Sequence, residues 1–112
     1  MSPRLLRIGF WGASAFALVM ALLPQPPQLP GEPSDKLQHI LAFATLALLG
    51  RLAYPQTRLL VLATGLSAFG AAIELLQAIP ALHRDAELAD WAADTAAVVA
   101  VLLALELARR PR

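Results

Sequence analysis

Four long apolar runs, divided by short polar or proline-rich breaks, account for most of this 112-residue sequence. The first extends from Leu5 to Leu23 with Arg7 near its start. The second extends from Leu37 to Tyr54 and carries His39 and Arg51. The third, Leu59 to Ile79, is interrupted by Glu74 and Gln77. The fourth, Asp90 to Leu107, contains Asp94 and ends beside Glu106. Apolar and polar positions do not alternate with a period of two, so strands and a barrel are excluded. A bilayer core requires about 20 predominantly apolar residues per helix. The pattern therefore predicts helices over about 5–23, 36–54, 58–79 and 89–108.

The breaks support that division. Residues 24–34 hold five of the nine prolines and cannot continue a helix. Pro55 lies in the second break and Pro80 opens the third. Connections this short predict antiparallel neighbours. The expected fold is all-α: a single integral membrane four-helix bundle over residues 1–112.

Composition reinforces the membrane reading. Hydrophobic residues make up 58% and charged residues 15%, against about 25% charged in an ordinary soluble domain. A net charge of +1 offers no basic surplus for nucleic acid. The absence of cysteine removes disulfides, thiolate metal sites and a cysteine nucleophile. Orientation follows from the basic residues. Arg4, Arg7, Arg51, Arg58, Arg109, Arg110 and Arg112 fall on one side of a four-span arrangement, and only Lys36 and Arg84 on the other. This predicts both termini and the middle turn in the cytoplasm of a bacterial inner-membrane protein. The rival is a cleaved first segment: Arg4, Arg7 and the apolar run resemble a signal peptide, with Val19-Met20-Ala21 as a cleavage context.

Three ionisable residues lie inside the runs at matching depth. His39, Glu74 and Asp94 each fall roughly 5–8 Å below the outer interface at about 1.5 Å rise per residue. Ala63, Ser67, Gly70, Glu74 and Gln77 recur at spacings of 4, 3, 4 and 3, one helical stripe. Asp90, Asp94 and Ala97 share a face, as do Asp35, His39, Ala42 and Leu46. Intramembrane ionisable groups are costly unless paired or hydrated. The stripes therefore predict an inward-facing polar pocket, with Glu74 paired to Arg84 or His39. Each residue also has a structural reading. Asp35 serves as the N-cap of the second helix, and Gln77 as a helix–helix hydrogen-bond residue. Arg84 anchors at the headgroups or binds phosphate through its planar fork. Glu87 and Asp90 complement a helix dipole. Trp11 reads as mid-span packing, and Trp91 and Tyr54 as interface residues.

Asp35-Lys36-Leu37-Gln38-His39 with Phe43, then Glu74-Leu75-Leu76-Gln77, then Arg84-Asp85-Ala86-Glu87-Leu88-Ala89-Asp90 with Asp94, resemble the VanZ-like family of bacterial membrane proteins. The family pattern is D-K-x-x-H, E-x-x-Q, and an arginine followed by an acidic stretch ending in D-x-x-x-N. Asp94 stands where the family more often has asparagine, and His83-Arg84-Asp85 replaces a stretch often built of small residues. The resemblance implies a cell-envelope role; the founding member is associated with low-level resistance to the glycopeptide teicoplanin.

Three functions follow. The first is a non-enzymatic envelope factor whose outer pocket binds a polar headgroup, a lipid-linked envelope precursor or a glycopeptide-type drug. Its binding residues are Lys36, His39, Glu74, Gln77, Arg84, Asp90 and Asp94. The second is an intramembrane enzyme acting on a lipid or lipid-linked substrate, with His39, Glu74 and Asp94 as acid, base or metal ligands. No nucleophile motif accompanies them. The third is a proton-coupled carrier, which the lack of polar residues in the cytoplasmic half of the spans disfavours. The first reading expects no cofactor and no metal. Its partners are membrane lipid, an envelope precursor, and a second copy or another membrane protein, with no nucleic acid.

Overall fold

The computed structural model describes residues 2–23, 35–82 and 88–109, excluding the side chains of Asp35, Lys36 and Leu82. It is all-helical: α1 (Pro3–Leu22), α2 (Asp35–Ala53), α3 (Leu59–Gln77) and α4 (Leu88–Arg109), with a short 3-10 turn at Pro80–Leu82. Every boundary lies within two residues of the sequence expectation.

The two larger differences have local causes. Helix α1 starts two residues early because Ser2 caps it, its hydroxyl accepting from Leu5 N–H at 3.2 Å. Pro3 sits in the first turn, where its missing N–H costs nothing. Helix α3 stops at Gln77 rather than residue 79 because Pro80 disfavours helical backbone at Ile79. The last turn tightens instead, with Ile79 N–H donating to Leu76 C=O at 3.1 Å.

Helices α1, α3 and α4 are each long and apolar enough to cross a membrane. The apolar stretch of helix α2 covers Leu37–Ala53, with Gln38 and His39 in its first turns and Arg51 in its last. This less apolar helix packs against all three others, most extensively against α4 and then α1. Phe43, Leu46 and Ala47 of α2 are buried with Leu66 and Ile73 of α3, Val98 and Leu102 of α4, and Phe10 and Ala21 of α1. Gly50 permits the closest approach of α1: a Cβ there would stand 3.0 Å from Phe10 Cε1. Small residues at such contacts replace the hydrophobic driving force that lipid cannot supply.

The distribution of exposure is the inverse of a soluble protein's. Leu88, Leu75, Leu60 and Phe16 are 78%, 75%, 74% and 66% exposed, while Gln77, Asp94, Asp90 and Arg51 are 1%, 3%, 6% and 8% exposed. In water this arrangement loses on both counts, leaving apolar area hydrated and polar groups desolvated. In hydrocarbon the exposed leucines cost nothing. The chain is built as a membrane protein.

Candidate functional site

Three helices contribute to one polar centre. His39 projects from the second turn of α2, Glu74 from the last turn of α3 and Asp94 from the second turn of α4. One donor atom from each lies within 4.8 Å of the other two. His39 Nδ1 and Asp94 Oδ2 are 4.0 Å apart, with side chains 13% and 4% exposed. These residues are separated by 35 and 20 positions in the chain, so their meeting is a product of packing alone.

An apolar layer lies one turn deeper. Phe43 follows His39 by one turn, Val98 follows Asp94 and Gly70 precedes Glu74. Phe43 and Val98 are buried. A Cβ added to Gly70 would meet Phe43 Cζ at 3.4 Å and Trp91 Cδ1 at 3.5 Å, so glycine lets both rings close against α3. Low polarity beneath the centre strengthens electrostatic interactions within it.

Gln77, one turn from Glu74 on the same face, has a defined structural task. Its Nε2 donates to the Ala21 backbone oxygen at 2.9 Å. Ala21 is next to last in α1, so its carbonyl has no partner within the helix. The amide therefore satisfies an end-of-helix acceptor and ties α3 to α1. The buried Oε1 of Gln77 accepts no hydrogen bond among the described residues. Replacing Gln77 with leucine is expected to lower stability by about 1 kcal/mol, the scale of interhelical hydrogen bonds in membranes. The loss is measurable by unfolding in mixed detergent micelles. An unchanged midpoint would remove the clamp from the account.

Asp90 is buried in the first turn of α4, one turn before Asp94. Arg84, with neighbouring His83, Asp85 and Glu87, lies outside the described residues, as do the side chains of Lys36 and the predicted cap Asp35. The expected Glu74–Arg84 pair thus falls beyond them. Glu74 and His39 do share one cluster, and Asp94 joins them.

At the opposite end of the helices the structure adds residues that the sequence treated only as charges. Arg51 is buried; its Nη1 donates to Thr57 C=O at 2.9 Å and its Nη2 to Glu106 Oε2 at 3.3 Å. The pair locks the ends of α2 and α4 to the turn between α2 and α3. The expectation that this half of the spans carries no polar residue is corrected accordingly. Both residues lie near the same side of the sequence-predicted spans, a correspondence that could have flagged the pair.

Both tryptophans also differ from expectation. Trp11 is 61% exposed and donates to Tyr54 Oη at 2.7 Å, joining α1 to the end of α2. Trp91 turns into the α3–α4 contact, its Nε1 donating to Ser67 C=O at 3.0 Å beside a 2.9 Å Ser67–Thr95 hydroxyl hydrogen bond. An apolar groove of about 340 Å³ between α1 and α3 includes Phe10, Trp11, Tyr54 and Phe69 in its lining. It carries no ionisable group besides the Tyr54 phenol.

Comparison with models of known protein families, with characterised proteins and with solved structures yielded no significant match.

Proposed function

We propose that this chain is a VanZ-like cell-envelope membrane protein whose His39–Glu74–Asp94 centre opens to the outside and binds a polar ligand. The ligand is a lipid headgroup, a lipid-linked envelope precursor or a glycopeptide-type drug. The observation that carries the reading is the convergence of those three side chains from three helices. Intramembrane ionisable groups so assembled mark functional sites by default.

The reading takes four spans in alternating directions, with both termini in the cytoplasm of a bacterial inner membrane. Contacts support the alternation. The start of α1 meets the end of α2 through Phe10 and Gly50 and through Trp11 and Tyr54. The ends of α1 and α3 meet through Ala21 and Gln77, and those of α2 and α4 through Arg51 and Glu106. The arginine-rich end is then cytoplasmic by the positive-inside rule. The His39 centre is at the other end.

Lys36 and Arg84 supply positive charge for phosphate or carboxylate in this scheme. Asp90 and Gln77 form the rim and the clamp. A second reading, acid–base or metal-assisted chemistry on a lipid-linked substrate, draws on the imidazole–carboxylate proximity of His39 and Asp94.

A His39→Ala comparison separates the two. Wild-type and variant protein, purified in detergent, are titrated with anionic phospholipid, a lipid-linked diphosphate and teicoplanin. Loss of binding in the variant is the expected result. Retained binding with lost turnover of the lipid-linked probe would favour the enzyme. Unchanged behaviour in both assays would sink the pocket.

A further inference from the structure

The donor set of the centre defines its chemistry more narrowly, on the assumption that the pocket just proposed is the working site. We propose that His39, Glu74 and Asp94 together hold a divalent first-row transition-metal ion, whose remaining coordination positions take an anionic oxygen of the bound headgroup.

The set is one imidazole and two carboxylates, each from a different helix. Imidazole with carboxylate suits zinc, manganese, iron or cobalt. Calcium and magnesium prefer all-oxygen shells, and the nitrogen turns the site away from them. Three protein ligands with a position left for water or substrate is the usual arrangement of a working zinc site.

The distances fit. Donor atoms now lie within 4.8 Å of one another. Bonds of about 2.1 Å in a tetrahedral site place ligand atoms about 3.4 Å apart. Binding therefore requires a contraction of up to roughly 1.4 Å, within the reach of side-chain rotation in Glu74 and His39. The backbone positions need not move. They are held by the Phe43–Gly70 contact one turn below and by the Trp91–Ser67 hydrogen bond between α3 and α4.

Charge fits as well. Two carboxylates with a neutral imidazole carry two negative charges, which a divalent ion matches. Neutrality matters most where the surroundings are apolar. Asp94, where the resembling family more often has asparagine, is what makes the set dicarboxylate. Gln77 offers a further neutral oxygen, since its Oε1 is buried without a hydrogen bond among the described residues.

The test uses full-length protein purified without a polyhistidine tag, stripped with chelator and titrated separately with Zn²⁺ and Mn²⁺. Spin resonance reads bound manganese, and thermal unfolding reads both ions. Wild type is expected to bind one ion per chain and to unfold at higher temperature with it. Glu74→Gln and Asp94→Asn keep side-chain shape and are expected to bind at least tenfold more weakly. Glu106→Gln, at the other end, is expected to bind as wild type does. The proposal is overturned if wild type takes up no ion, or if the two centre variants bind it as tightly as wild type. Failure of the pocket reading looks different. No bound ion with His39-dependent headgroup binding intact overturns the metal and leaves the pocket. A bound ion without headgroup binding supports the metal and removes the pocket as its purpose.

Discussion

Replacing Glu74 with leucine is expected to leave the protein inserted and folded while weakening binding of anionic headgroups at least about thirtyfold. Insertion survives because the change removes an ionisable group from a span that is otherwise apolar. Insertion scales place the cost of such groups at about 2.5–3.5 kcal/mol in mid-span, and less at shallow depth. Folding survives because the packing of α3 runs through Leu66, Gly70 and Ile73, which are untouched. Binding does not survive, because in the proposed scheme the Glu74 carboxylate holds the cation through which the anionic headgroup is bound. Truncating one partner of a desolvated charged contact costs about 2–5 kcal/mol, a factor of thirty to several thousand. Titration of detergent-purified protein with anionic phospholipid measures it, with circular dichroism as the control for folding. Full binding by the leucine variant would show that the convergence of His39, Glu74 and Asp94 serves only to hold helices together.

The second large effect lies at the opposite end. Glu106→Leu is expected to destabilise the protein by about 3 kcal/mol, because it leaves a buried guanidinium without its carboxylate. The Arg51 side chain is 9% exposed against 31% for Glu106, so the penalty is unequal. Arg51→Met strands the better-solvated partner and is expected to cost less. The double variant Arg51→Met/Glu106→Leu removes both charges and is expected to regain most of the loss, leaving mainly the missing Arg51–Thr57 hydrogen bond. A double-mutant cycle in detergent unfolding gives the coupling directly. Additive losses, with no recovery in the double variant, would mean that the two side chains do not act as a pair. The effect is separable from binding, since neither residue approaches the His39 centre.

Much of the architecture was legible in the linear pattern. Runs of about 20 apolar residues allow few folds in a bilayer, and the prolines at 24–33, 55 and 80 divide them. The helix ends that shifted did so for cap and proline reasons already written in Ser2-Pro3 and Ile79-Pro80. Matched depths were legible too. An α-helix advances by a fixed rise, so counting from the helix ends set His39, Glu74 and Asp94 at one level.

Depth, however, is only one coordinate of three. Which way each helix is rotated about its axis depends on what packs against it, and the sequence leaves that open wherever apolar residues surround the whole helix. In α2, α3 and α4, leucine and alanine occur all round the helix, so the stripe containing an ionisable residue was a suggestion of facing and no more. Packing resolved it: Gly70 admits Phe43 and Trp91, and Gly50 admits Phe10. The same rotations joined Arg51 to Glu106 and Gln77 to the end of α1, and turned Trp91 inward. The sequence by itself determined that four helices form and at what depth their polar residues lie, because hydropathy and helical rise are local properties. Only the tertiary structure decided that His39, Glu74 and Asp94 meet at one centre, because the meeting depends on side-chain contacts between segments 20 to 55 positions apart.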